Sequence, residues 1–185
     1  FDPLVVARFD EHHDTDIFTM FSDNNGATWS TPLKVNDDTG GTNSQFFAWL
    51  DVDQATGNVG ISWYDARNDL GAGGAGDTNG TANDDVQYFA AVSFDGGLSY
   101  SRNLQVSTGT SNAVLALGQG VPPPAGQKQF AGYDDYTGSA FVNGRFHMAW
   151  ADNSNSTGDN TNVAPLPVGF TAVYPDSLRI DTTFF

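Results

Sequence analysis

Two stretches of this chain say the same thing: Ser22-Asp23-Asn24-Asn25-Gly26-Ala27-Thr28-Trp29 and Ser93-Phe94-Asp95-Gly96-Gly97-Leu98-Ser99-Tyr100 both read S-x-(D/N)-x-G-x-(T/S)-aromatic. A motif that recurs within one chain marks a recurring structural unit. Each copy lies between apolar, alternating runs: residues 16–21 and 31–35 around the first, 86–92 and 101–106 around the second. Two such runs around a polar centre form a β-hairpin. In the turn, the Asp or Asn side chain accepts from backbone N–H groups further on, the glycine supplies a positive φ, and the aromatic packs back over the loop. We call this element the box.

A second repeat interleaves with the first. Ile61-Ser62-Trp63-Tyr64-Asp65 and Met148-Ala149-Trp150-Ala151-Asp152 share an apolar-small-Trp-x-Asp pattern, and Val6-Ala7-Arg8-Phe9-Asp10 repeats its shape with Arg8 in place of Trp. Each Trp strand follows an apolar run and a tight turn, 46–52 then 54–58 in one case, 139–142 then Asn143-Gly144 in the other. Asn-Gly is a favoured two-residue hairpin turn. The order is therefore strand A, turn, Trp strand B, loop, strand C, box turn, strand D. A four-stranded antiparallel unit repeated in tandem is the grammar of a β-propeller blade. The expected fold is all-β, with blade parts at residues 1–43, 44–107 and 108–185 of a single partial propeller domain. Propellers close with about four to eight blades, so these two and a half to three blades read as the C-terminal half of a larger, six-bladed ring. The remainder of the propeller or another chain would complete it.

The boxes resemble the Asp-box, or BNR, repeat of sialidase-like β-propellers. The resemblance rests on Ser22, Asn24, Gly26, Thr28 and Trp29 in the first copy and on Ser93, Asp95, Gly97, Ser99 and Tyr100 in the second, with Asn24 standing where the family usually has Asp. Trp63-Tyr64-Asp65-Ala66-Arg67-Asn68 is similar to the W-Y-D-x-R-N segment of bacterial members, and Gly132-Tyr133-Asp134-Asp135-Tyr136-Thr137-Gly138 to their G-D-Y-x-G segment. Sialidases hold a substrate carboxylate with three arginines and use a Tyr nucleophile, a Glu partner and an Asp acid/base. The resemblance implies that, in half of such a glycoside hydrolase, Asp65, Arg67, Asp134, Asp135 and Tyr136 would line the pocket. The signature is otherwise thin: Glu11 is the only glutamate, and no R-I-P segment is present. The resemblance supports the fold better than the activity.

Charge and loop placement point elsewhere. The formal charge of −15 leaves nothing to neutralise a row of phosphates or to sit on an anionic membrane. The chain has no cysteine and no apolar run long enough to span a bilayer. In an antiparallel blade, successive turns alternate between the two faces. The box and A–B turns share one face, and the long acidic or glycine-rich insertions gather on the other, which reads as a binding surface. In the insertion richest in such residues, 65–85, oxygen-bearing side chains at 77, 79, 81 and 83 are followed by Asp84 and Asp85. Calcium takes many oxygen ligands from flexible loops. Asp65, Asp69, Asp77, Asn79, Asp84 and Asp85 are the candidate ligands, and solvated turns are the alternative. The spacing is not that of an EF-hand, since Ala82 stands at the obligatory glycine and Tyr88 at the bidentate Glu. Two functions follow as expectations. One is a non-catalytic, secreted or cell-surface, calcium-stabilised module that scaffolds or binds a glycan or protein through its acidic loops. The other is half of a sialidase-like hydrolase.

Overall fold

The computed structural model describes residues 14–39, 42–74, 76, 77, 80–112 and 137–152, and the backbone of 179–182. Asn79, Asp134, Asp135 and Tyr136 lie outside the described residues. The described chain is all-β, with every strand pairing antiparallel. Among these residues, no helix is long and apolar enough to cross a membrane.

Three sheets form. β1 (Phe18–Thr19) pairs with β2 (Leu33–Lys34). β3 (Gln45–Val52), β4 (Val59–Asp65), β5 (Asp85–Ser93) and β6 (Leu104–Gln105) lie side by side in chain order, and β7 (Ser111–Asn112) adds to the start of β5. β8 (Gly138–Val142), β9 (Arg145–Trp150) and β10 (Arg179–Thr182) form the third sheet, with β9 in the middle. The expected A, B, C and D strands of the second unit are thus β3 to β6. The D strand is shorter than expected because Arg102 and Asn103 leave the ladder, and Asn103 turns to Asp37 of the first unit, donating its N–H to Oδ2 at 2.9 Å.

β4 and β5 are buried along their whole length, which is why both read as nearly continuous apolar runs. Alternation then sorts their side chains between two neighbours. Ile61, Trp63, Phe89 and Ala91 pack with Ile17 and Val35 of the first sheet. Tyr64, Tyr88, Ala90 and Val92 pack with Phe141, Phe146, Met148 and Trp150 of the third. Tyr88 stacks on Trp150 with ring centroids 4.6 Å apart and planes 7° off parallel. Gly60 makes this approach possible, because a Cβ there would fall 2.6 Å from the Phe146 ring.

Both boxes close on themselves. In the second, Ser93 Oγ donates to Asp95 Oδ1 at 2.7 Å, and Gly97 and Ser99 donate their N–H groups to Ser93 Oγ and Asp95 Oδ1 at 2.7 and 2.9 Å. In the first, Ser22, Asn24, Gly26 and Thr28 make the same set at 3.0, 2.8 and 2.9 Å. Tyr100 packs back against the core, whereas Trp29 stays 59% exposed. The turn between β3 and β4 is capped by Asp53, whose Oδ2 also accepts the Gly144 N–H at 2.6 Å and so joins the β3–β4 and β8–β9 hairpins.

Candidate metal centre

The β4–β5 connection opens and closes on aspartates that have different surroundings. Asp65 ends β4 fully buried and saturated. Its Oδ2 accepts from Trp63 Nε1 at 2.8 Å and from Arg67 Nη2 at 2.7 Å; its Oδ1 accepts from the Arg67 N–H at 2.9 Å and Gln45 Nε2 at 3.3 Å. Arg67 is committed through both Nη atoms, while its buried Nε has no hydrogen-bond partner. It reaches Asp37 Oδ1 at 2.7 Å and Asn103 Oδ1 at 2.8 Å, and its guanidinium carbon lies 4.4 Å from the Phe89 ring centroid. Burial disfavours its charge, but the bonds and charges of Asp65 and Asp37 outweigh this and raise its pKa. Both side chains therefore belong to a polar seam between the first and second sheets, which continues from Gln45 to Asn36 and Asp16. Asp134, Asp135 and Tyr136, expected beside them, are not among the described residues.

Beyond Arg67 the chain folds back on itself. Asn43 Nδ2 ties down the carbonyls of Ala66 and Asp69 at 2.7 and 2.5 Å, and the Asp69 N–H closes a turn on Ala66 O at 2.9 Å. Gly76 passes so close to Asn68 that a Cβ would sit 2.5 Å from Asn68 Cβ, and its φ of +85° favours glycine. This compaction brings Asp69, Asp77 and Asp85 together: all are buried, and one carboxylate oxygen of each lies within 4.8 Å of the others. Asp65 and Asp84, two further candidates from the sequence, lie outside the cluster.

Backbone donors aim the carboxylates. Asp69 Oδ2 accepts the N–H groups of Asp84 and Asp85 at 2.7 and 2.8 Å. Asp77 accepts from Gly73 and Gly80, each at 2.7 Å, so one side chain pins two parts of the loop. Asp85 Oδ1 accepts Asn112 Nδ2 at 2.8 Å. Within the triad, Asp69 Oδ1 is buried and has no hydrogen-bond partner. Burying a carboxylate oxygen without a donor is costly. Burial pushes the Asp69 carboxyl above its ordinary pKa, and the charge of Asp77 acts in the same direction, against the N–H groups of Asp85, Asp84 and Gly71. A cation held between the three carboxylates would offset their like charges. Asp69, Asp77 and Asp85 can hold a metal ion, and carboxylate donors suit a hard one.

The three clustered aspartates are among those singled out from the sequence, whereas Asn43, which holds the Asp69 carbonyl, and Asn112, which holds Asp85, gave no local signal because each acts over a long sequence separation. No known family model matches the chain, and no curated protein matches it.

Proposed function

We propose that this protein is a non-catalytic, calcium-stabilised module of an Asp-box β-propeller. It works outside the cell as a scaffold or as a binder of a glycan or protein through its acidic loop face. The observation that carries the calcium reading is Asp69, fully buried, with one carboxylate oxygen that has no hydrogen-bond partner and one within 4.8 Å of oxygens of two further buried aspartates. Calcium accepts six to eight oxygen ligands in irregular geometry, whereas magnesium demands a near-octahedral shell and keeps its waters. A long loop rich in glycine and oxygen-bearing side chains fits the first better. The propeller reading draws on the two boxes and on the A-to-D strand order of β3–β6.

The hydrolase reading is the weaker one. A sialidase-type arginine must be free to meet a substrate carboxylate, and Arg67 already binds Asp37, Asp65 and Asn103. Removing it to bind substrate would strand the buried charge of Asp65.

Thermal unfolding tests the calcium reading. A chelator lowers Tm, calcium restores it and equimolar magnesium does not; at a hundredfold excess over Kd the stabilisation is about 2.7 kcal/mol. An unchanged Tm in all three conditions would overturn it.

A further inference from the structure

Resting on the propeller part of that reading, we infer that a cavity between the first and second sheets is the socket for residues 4–10, which dock on the outer edge of β1 as an antiparallel strand. That segment lies outside the described residues and leads into β1 through residues 11–15.

The first two units share one register. β1 and β2 pair Phe18 with Lys34 and Thr19 with Leu33, as β5 and β6 pair Phe89 with Gln105 and Ala90 with Leu104. In the second unit the other edge of β5 carries β4, whereas among the described residues β1 pairs with β2 alone. Ile17 and Phe21 turn their carbonyls to Val35 and Ser30 on the β2 side, so the peptide groups of Phe18 and Met20 point to the opposite edge. Beside that edge lies a cavity of about 290 Å³, lined by Thr19 and Phe21 with Leu50, Val52, Val59 and Tyr100. Leu50 pairs with Ile61 and Val52 with Val59, so the cavity continues the contact that Ile17 makes with Ile61.

Side-chain sizes match the segment to the socket. Val6-Ala7-Arg8-Phe9-Asp10 aligns with Ile61-Ser62-Trp63-Tyr64-Asp65, which sets Val5 at the position of Gly60. Aligned in the same way with Met148-Ala149-Trp150-Ala151-Asp152, Val59 takes the position of Phe146. Between the second and third sheets the contact is Gly60 against Phe146; between the first and second it becomes Val5 against Val59. A close-packed interior requires the facing volumes to match. Val5 supplies beside the smaller Val59 the bulk that Gly60 omits beside the larger Phe146. Gly60 lies opposite Val92 and Ser62 opposite Ala90, so Val5 lies opposite Phe21 and Ala7 opposite Thr19. Residues 11–15 then close a hairpin of ordinary loop length.

Thermal unfolding of the full chain, in calcium and in chelator, tests the socket with Val59→Phe, Val5→Gly and the two combined. Val59→Phe should lower Tm by about 2 °C or more, because its ring meets Val5. Adding Val5→Gly should restore part of that loss, as Gly60 does for Phe146. An unchanged Tm in Val59→Phe, or losses that simply add in the combined variant, would overturn the socket. If Val59→Phe does not fold, the register is still readable, because the chain has no cysteine. Ala7→Cys with Thr19→Cys should close an intramolecular disulfide on oxidation, since the two face each other in a non-hydrogen-bonded pair, and Ala7→Cys with Met20→Cys should not. The reverse preference, or no disulfide in either, would overturn the strand while the calcium response of the wild-type Tm reports on the metal separately.

Discussion

Asp85 gives its backbone N–H to Asp69 Oδ2 at 2.8 Å while a carboxylate oxygen of its own side chain lies within 4.8 Å of an Asp69 oxygen. The first contact favours the ionised form of Asp69, whereas burial and the charge of Asp77 raise its pKa. A cation bound at the cluster would act in the opposite sense.

This relationship fixes the sign of one pH effect. A carboxyl whose folded pKa is raised binds its proton more tightly in the native state. Its stabilisation is therefore complete below the unfolded pKa and is lost as pH rises through the folded value. In chelator, the Asp69 contribution thus grows on acidification. In calcium the group is ionised, so protons compete with the metal and the calcium-induced rise in Tm shrinks as pH falls. Comparing Tm against pH for wild type and Asp69→Asn, each with and without calcium, isolates this contribution from those of the other carboxylates.

The boxes supply an internal comparison with the opposite sign. Asp95 accepts from Ser99 Oγ at 2.5 Å, from the Ser99 N–H and from Ser93 Oγ, which hold its pKa down to about 2. Asn24 reverses one bond, donating Nδ2 to Thr28 Oγ1 at 2.8 Å, and cannot titrate. The second hairpin should lose its carboxylate stabilisation as pH falls below the ordinary Asp range towards about 2. The first should not. Side-chain chemical shifts followed from neutral pH downwards read both, and Asp95→Asn should keep the turn while abolishing its titration.

How far the sequence could be read follows from which contacts are local. The boxes were legible because Ser22 with Asn24 and Ser93 with Asp95 bond within one turn. β4 and β5 were legible because each carries its own apolar run. The sorting of aspartates was not. Asp65 is satisfied by Trp63 and Arg67, two residues away on either side, but also by Gln45 across the sheet, whereas Asp69 meets Asp85 only through the folded loop. Composition shows 22 carboxylates, all but one of them aspartate; only tertiary partners distinguish the saturated from the unsatisfied. The same limit applies to the D strand, shortened by the bond of Asn103 to Asp37 from the first unit.

Arg67→Ala should destabilise the chain by about 3 kcal/mol or more, because it strands the buried carboxylate of Asp65. Arg67→Lys should recover only part of the loss, since an ammonium cannot bridge Asp37, Asp65 and Asn103 as the planar guanidinium does. Urea denaturation of the variants in calcium measures both. Loss below about 1 kcal/mol for Arg67→Ala would match an ordinary exposed pair instead.

Gly60→Ala tests the packing of the second sheet on the third. Its new methyl would meet the Phe146 ring at 2.6 Å, and Phe146 is fully buried. The expected cost is about 1–3 kcal/mol of overpacking. Phe146→Leu in the same background should recover part of it, a non-additivity that a double-mutant cycle reports.

The central claim is that Asp69, Asp77 and Asp85 hold a cation, and titration calorimetry with calcium on wild type, Asp69→Asn and Asp84→Asn tests it most directly. The account predicts saturable binding by wild type, affinity lower by about tenfold or more in Asp69→Asn, and no change in Asp84→Asn, whose carboxylate lies outside the cluster. Absence of binding by wild type, or an affinity lost in Asp84→Asn and kept in Asp69→Asn, would contradict it.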